Sequence, residues 1–158
     1  MTRVILIALV CTLPLFSTSA FASKASVLLS LDEGGANIGG DFQLDNSNES
    51  IAIFGRFYPE DKGDGKLGRL ATGGFLRLTL GGRSLSAAAS MGASIISLST
   101  IDDKNELLIG PAMSLAIHKK IDSMFFGLDH FMAYSWIGKV KGTSPIINDV
   151  MFVFGFNL

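Results

Sequence analysis

The chain has 158 residues, of which 48% are hydrophobic, and it carries a formal net charge of −1 and one cysteine. This near-neutral balance gives no reason to expect nucleic acid or a strongly charged partner. The length suits one domain, which must be stable without an internal disulfide.

The first 22 residues have the features of a secretory signal peptide. Arg3 gives a positive start, residues 4–16 are uncharged and mainly apolar, and residues 20–22 fit a small-x-small cleavage site. The apolar segment is shorter than the roughly 20 residues that a membrane-spanning helix needs. We therefore expect a signal peptide at 1–22 and a mature, exported domain at 23–158.

Apolar residues in the mature region recur at alternate positions. Cys11 lies within the predicted signal, so the mature domain would contain no cysteine. Segments of about ten residues with alternating polarity are typical of outer-membrane β-barrels, which show no continuous transmembrane helix. The alternation predicts eight strands, at residues 26–31, 37–44, 51–58, 70–80, 84–95, 107–118, 123–136 and 150–158.

The fifth predicted strand indicates which face is the interior. Every second residue from Ser84 to Ser94 is small or hydroxylated, whereas every second residue from Leu85 to Ile95 is mainly apolar. Small residues suit a narrow, hydrogen-bonded lumen. A soluble barrel would instead turn its apolar face inward and present a charged outer face, and the second face here carries few charges.

Two residues disturb the pattern. Pro111 lies in the sixth strand and cannot donate to the ladder, so we expect a local bulge or gap there. His130 falls on the apolar face of the seventh strand. Either a bulge near Gly127 shifts the register, which we favour, or His130 lies close enough to the interface to stay hydrated.

The last strand ends at the C-terminus with large apolar residues on one face. Residues 151, 153, 155 and 157 form the opposite face. We expect the apolar face to contact lipid and the terminus to lie on the periplasmic side, where the barrel assembly machinery could recognise it. The residues of this predicted assembly strand are Phe152, Phe154, Phe156 and Leu158.

The predicted connections alternate between inner turns and outer loops, and two of the four outer loops are the longest connections, as expected for an outer-membrane barrel with short periplasmic turns. The inner turns would be residues 45–50, 81–83 and 119–122, and the outer loops residues 32–35, 59–68, 100–105 and 137–148. We expect Phe57, Tyr134 and Trp136 to be membrane-interface aromatics.

Several charged residues fall on the inward face. Buried charges need partners, so we expect a lumen charge network rather than a wide pore. Its predicted members are Asp41, Arg56, Arg77, His118 and Asp129. The loop with Glu60, Asp61 and Asp64 departs from the EF-hand pattern, and we interpret it as a solvated surface loop. No metal or other cofactor is expected.

The mature chain resembles the small eight-stranded outer-membrane barrels, a group that includes the OmpA transmembrane domain and OmpX. The acidic loop 61–65, the Gly73-Gly74 pair and the Gly81-Gly82 turn are also similar to YfaZ-type proteins. The resemblance implies an all-β, antiparallel, up-and-down transmembrane barrel in a Gram-negative cell envelope. It implies no activity and no catalytic residues.

Three functions are consistent with this pattern. The leading hypothesis is a non-enzymatic outer-membrane barrel with a structural or surface-interaction role, in contact with outer-membrane lipid and lipopolysaccharide. The second is a lipid-modifying enzyme, of the lipid A deacylase or acyltransferase type, that uses His118 or His130. The third is a soluble periplasmic barrel that binds an apolar ligand.

Overall fold

The fold is a closed antiparallel barrel of eight strands. The computed structural model describes residues 24–32, 35–44, 48–59, 66–82, 84–100, 105–139 and 145–158, so the predicted signal peptide lies outside the described residues. The strands are β1 (Lys24–Asp32), β2 (Gly35–Gln43), β3 (Glu49–Tyr58), β4 (Lys66–Gly81), β5 (Leu85–Thr100), β6 (Asn105–Ile121), β7 (Met124–Ala133) and β8 (Ile147–Asn157).

Each strand pairs with its neighbours in sequence, and β1 pairs with β8 to close the sheet. The predicted all-β, up-and-down architecture is therefore confirmed. No helix in the described part of the chain is long and apolar enough to cross a membrane.

The two ends of the barrel differ in their connections. At the short-turn end, five residues separate β2 from β3, three separate β4 from β5 and two separate β6 from β7, and the first residue of β1 and the last residue of β8 lie at the same end. At the opposite end, here the long-connection end, two residues separate β1 from β2, seven separate β3 from β4, four separate β5 from β6 and thirteen separate β7 from β8. Residues 60–65, which include the predicted acidic surface loop, lie outside the described residues.

Strands β4 and β5 extend well beyond the predicted bounds toward the long-connection end, and β6 extends beyond both of its predicted ends. They contain 16, 16 and 17 residues, whereas about 9–11 residues cross a membrane in a tilted strand. The prediction stopped where apolar alternation stopped. Backbone hydrogen bonds need no apolar side chains, so the ladders continue into the more polar segments.

The inward and outward positions alternate as the apolar pattern predicts, and in β7 they do so without the favoured shift of register. In β8, Met151 and Val153 are buried inside the barrel, whereas Phe152 and Phe154 are exposed on the outside. In β5, Ser90 and Ser94 point inward and Met91 points outward. Because side chains alternate across a strand, this pattern gives the barrel a small and polar interior next to a large and apolar exterior.

The expected irregularity at Pro111 is present. The β6–β7 ladder runs in register to the pair Ala112 with Ala133, but the next bridge joins Ile109 to Ile137, so the segment after β7 contains one extra residue. The Pro111 carbonyl accepts a hydrogen bond from the Tyr134 N–H on this side. In an antiparallel ladder the N–H and C=O of one residue point to the same neighbouring strand. The position at which proline lacks an N–H therefore faces the bulged segment, where the ladder is interrupted.

The favoured bulge near Gly127 was wrong. Strand β7 pairs in continuous register with both β6 and β8, and His130 therefore stays on the outer face. There its Nε2 lies 2.7 Å from Oδ1 of Asn148 on β8. This polar contact gives the imidazole a partner without any change of register.

Bulky interior side chains lie directly opposite glycines on the adjacent strand. A Cβ at these glycines would meet the large partner or the neighbouring backbone. The narrow lumen of an eight-stranded barrel therefore accommodates each large group beside a residue without a side chain. The pairs are Arg56 with Gly39, Phe54 with Gly73, Phe75 with Gly92, His118 with Gly127, and Phe125 with Gly155.

This packing predicts opposite responses at two adjacent glycines. A Gly73→Ala substitution would place a methyl group against the Phe54 ring and the Ala93 carbonyl, and we expect it to lower the free energy of unfolding by about 1–3 kcal/mol. Gly74→Ala is the matched control, because its methyl group would point outward, with the nearest atom at 3.7 Å. Urea unfolding followed by tryptophan fluorescence measures both, and equal effects would contradict this packing.

Candidate functional site: the charged network inside the barrel

Arg56 lies at the centre of the barrel interior with its side chain fully buried. Its guanidinium donates to Oδ1 of Asp41 at 2.5 Å and to Oδ2 of Asp129 at 3.3 Å. Asp41 lies on β2, the neighbour of β3 in the sheet, whereas Asp129 lies on β7, across the lumen. A single side chain thus links β2 and β3 to β7, which is not their neighbour in the sheet.

Arg77 on β4 extends the network. It donates to the second oxygen of Asp41 at 2.9 Å and, through Nε, to the Ser90 hydroxyl at 2.9 Å. On the other side, the Ser114 hydroxyl donates to Oδ1 of Asp129 at 2.5 Å. The charged side chains are almost fully buried.

The network is balanced in charge, with two guanidinium groups and two carboxylates. Removing a charge from water costs several kcal/mol, which only close opposite charges and additional hydrogen bonds recover. Asp41 accepts from both arginines, and Asp129 from Arg56 and Ser114. The network therefore cross-links β2, β3, β4 and β7 through the lumen.

Aromatic rings pack against this network. Phe54 stacks on Phe75 with ring centroids 4.3 Å apart, and Phe131 meets Phe54 edge-on at 5.3 Å. The Arg56 guanidinium carbon lies 5.8 Å from the Phe54 centroid and 5.3 Å from that of Phe131. At these distances, cation–π interactions with both rings can stabilise the buried guanidinium.

The aromatic cluster continues as an apolar core toward the long-connection end. Its buried members there lie near the strand ends of β5, β6 and β8. They are Ile96, Leu98, Leu108 and Ile147. Together with the charged network, this core fills the lumen from its middle toward the long-connection end.

The structure brings four of the five predicted lumen residues into one network. These are Asp41, Arg56, Arg77 and Asp129, joined by ion pairs. His118 instead lines a cavity at the short-turn end, where its ring centroid lies 5.1 Å from that of Phe125.

Sequence reasoning missed the hydroxyl partners and a second polar cluster. Alternation placed Ser90 and Ser114 on the inward face but could not pair them with charges, because pairing depends on strand register. In the second cluster, Ser30 donates to Asp149 at 2.6 Å, and Asn37 donates to Ser30 at 3.0 Å. Asp149 was not recognised because β8 begins at Ile147, three residues before its predicted start.

The predicted interface aromatics all lie toward the long-connection end. Phe57 is the penultimate residue of β3, and Tyr134 and Trp136 are the first and third residues after β7. Trp136 is 69% exposed. In the C-terminal strand, the rings of Phe154 and Phe156 meet edge-on at 5.0 Å on the outer face.

The described residues hold no group of three His, Cys, Asp or Glu side chains that could bind a metal ion. His118 contacts an aromatic ring and His130 an amide, and these contacts differ from the serine–histidine–acid arrangement that acyl transfer uses. The enzymatic alternative stays a prediction that neither contact favours.

A scan against protein-family models gave no match, and neither the curated proteins nor the solved structures contained a match to this chain. The assignment to a class therefore depends on the barrel itself. The chain forms a closed barrel of eight antiparallel strands with a charged, filled interior.

Removing Arg56 would leave the buried Asp129 carboxylate without its ion-pair partner. We expect Arg56→Met to lower the free energy of unfolding by about 3–5 kcal/mol, and Arg56→Met combined with Asp129→Asn to recover part of this loss. Lys139→Met is the control. It breaks the exposed ion pair with Glu106, which is worth about 1 kcal/mol or less. Urea unfolding measures all three variants, and equal losses for Arg56→Met and Lys139→Met would contradict a central role for Arg56.

Proposed function

We propose that the protein is an integral outer-membrane β-barrel of the OmpA and OmpX architectural type. Its role is structural or in surface interaction through the long connections. The YfaZ-type resemblance is compatible with this class and adds no activity to it.

The observation that carries the proposal is the inverted polarity of the barrel. Outward side chains such as Leu31, Met91 and Phe152 are 85%, 66% and 70% exposed, whereas Arg56 inside is 0% exposed. Soluble monomers rarely expose a continuous apolar surface of more than a few hundred Å². Here exposed large apolar side chains occur on the outer face of all eight strands. A hydrocarbon environment accounts for this surface, and water does not.

The filled interior supports a role other than that of a wide diffusion channel. Eight strands enclose only enough space for side chains, and here the charged network and the aromatic cluster occupy it. Outer-membrane lipid and lipopolysaccharide are then the surroundings of the outer face. The C-terminal strand, with Phe154 and Phe156 turned outward, is a candidate recognition element for the barrel assembly machinery.

Cell fractionation combined with heat-dependent gel migration tests the proposal. We expect the expressed full chain to be recovered with the outer membrane. We also expect it to migrate differently in detergent gels before and after boiling, because a closed barrel resists unfolding at room temperature. Recovery as a freely soluble periplasmic protein with unchanged mobility would favour the soluble barrel that binds an apolar ligand and would overturn the proposal.

A further inference from the structure

A groove of about 710 Å³ crosses the outer face of strands β3 to β7. Two neighbouring rows of outward side chains form its walls, because residues opposite one another on adjacent strands lie side by side on one face. The first row consists of Ile51, Leu76, Met91, Met113 and Met132, each paired with the next. The second row consists of Leu78, Ala89 and Leu115.

Ala89 accounts for the depth of the groove. It lies between Leu78 on β4 and Leu115 on β6, so one methyl group separates two longer side chains. The next residue, Ser90, turns inward and is buried. The floor of the groove therefore consists of the Ala89 methyl group and the backbone of inward-facing residues.

Methionine side chains make up much of the opposite wall. Met91, Met113 and Met132 lie in direct register on β5, β6 and β7. Methionine is unbranched and has three rotatable bonds, so it adjusts to contents of varied shape. Such a wall suits a flexible hydrocarbon chain, and the volume of the groove lies within the range of about 300–1,000 Å³ that is typical of small-molecule sites.

The groove lies within the depth of one lipid leaflet from the short-turn end. On the outer face of β6, Lys119 lies four residues nearer to that end than Leu115 and six residues nearer than Met113. Six residues of strand span about 20 Å, which a tilt of about 40° reduces to roughly 15 Å along the membrane normal. One leaflet accounts for about 15 Å of the hydrocarbon core.

Lys119 supplies a positive charge at the short-turn end of this path. Its side chain is exposed and alternation turns it outward, so its ammonium group can donate to a phosphate oxygen at the membrane surface. The acidic Glu49 lines the opposite end of the groove, on β3, three strands away from β6. The groove and Lys119 thus match the two parts of a phospholipid, an apolar chain and an anionic phosphate.

We propose that this groove holds an acyl chain of one phospholipid, whose phosphate group lies against Lys119 in the leaflet at the short-turn end. The inference rests on the membrane location proposed above. The rest of the outer face would contact lipid without selecting it, whereas this site would keep one phospholipid after the surrounding lipid has been replaced by detergent.

Native mass spectrometry of the detergent-solubilised full chain, titrated with dioleoylphosphatidylglycerol, tests this site. We expect one phospholipid to bind at a lower concentration than any further molecule. Ala89→Phe would place a ring in the groove and should raise the concentration at half occupancy by about tenfold. Ala93→Phe is the matched control, because Ala93 lies outward on the same strand but outside the groove lining. It should change that concentration by less than about twofold.

The headgroup contact has its own variants. Lys119→Gln should raise the concentration at half occupancy by about fivefold, because a lysine near the membrane surface attracts anionic lipid. Lys139→Gln is the control at the long-connection end, where the exposed lysine pairs with Glu106, and it should have an effect of less than about twofold. Dioleoylglycerol, which has the same chains and no phosphate, should bind the unmodified chain at least as weakly as the phospholipid binds Lys119→Gln.

Several results would overturn this site while the membrane location stands. They are the lack of a preferred first phospholipid, equal effects of Ala89→Phe and Ala93→Phe, and equal binding of dioleoylglycerol and the phospholipid. A dimer that Ala89→Phe abolishes and Ala93→Phe preserves would assign the groove to a second copy of the chain and would also overturn it. Recovery of the chain as a soluble periplasmic protein would overturn the location and the site together. Heat-dependent gel migration of each variant establishes that it has folded.

Discussion

The interior of an eight-stranded barrel is so narrow that any charge inside it must be neutralised by other side chains of the same lumen. Arg56 meets this constraint here by lying between carboxylates from β2 and β7 and against two phenylalanine rings. The glycine opposite it on β2 leaves the space that its side chain crosses. Cross-linking and packing of the barrel interior thus both involve the same central side chain.

The outer face has the opposite chemistry. It carries exposed leucine, isoleucine, methionine and phenylalanine side chains on consecutive strands, and the His130 imidazole there contacts Asn148. In water this surface would be a strong driving force for association. In a bilayer the same surface would contact hydrocarbon. The polar interior and the apolar exterior together reverse the arrangement of a soluble protein, and the proposed location accounts for both.

Much of this fold follows from a period of two. Alternation was sufficient to locate all eight strands, to assign their faces and to recognise Asp41, Arg56, Arg77 and Asp129 as inward charges. It could not give the register that places Ser114 beside Asp129 or a glycine opposite each bulky interior group. It also misjudged His130, because a polar residue on an apolar face can be satisfied by a cross-strand partner as well as by a bulge. The full length of β4 to β6 was missed since backbone pairing continues beyond the apolar segment.

Spin labels on the outer face test the central claim, contact of that face with lipid, most directly. In a Cys11→Ser background, single cysteines at Ala89 and Ala93, both outward on β5, would carry nitroxides on the middle of the barrel exterior, and Lys119→Cys would carry one near its short-turn end. In protein reconstituted in lipid vesicles, we expect dissolved oxygen to relax the labels at 89 and 93 strongly and a water-soluble nickel complex to relax them weakly. The label at 119 should show greater access to nickel. Nickel access at 89 and 93 equal to that at 119 would contradict a lipid-facing barrel.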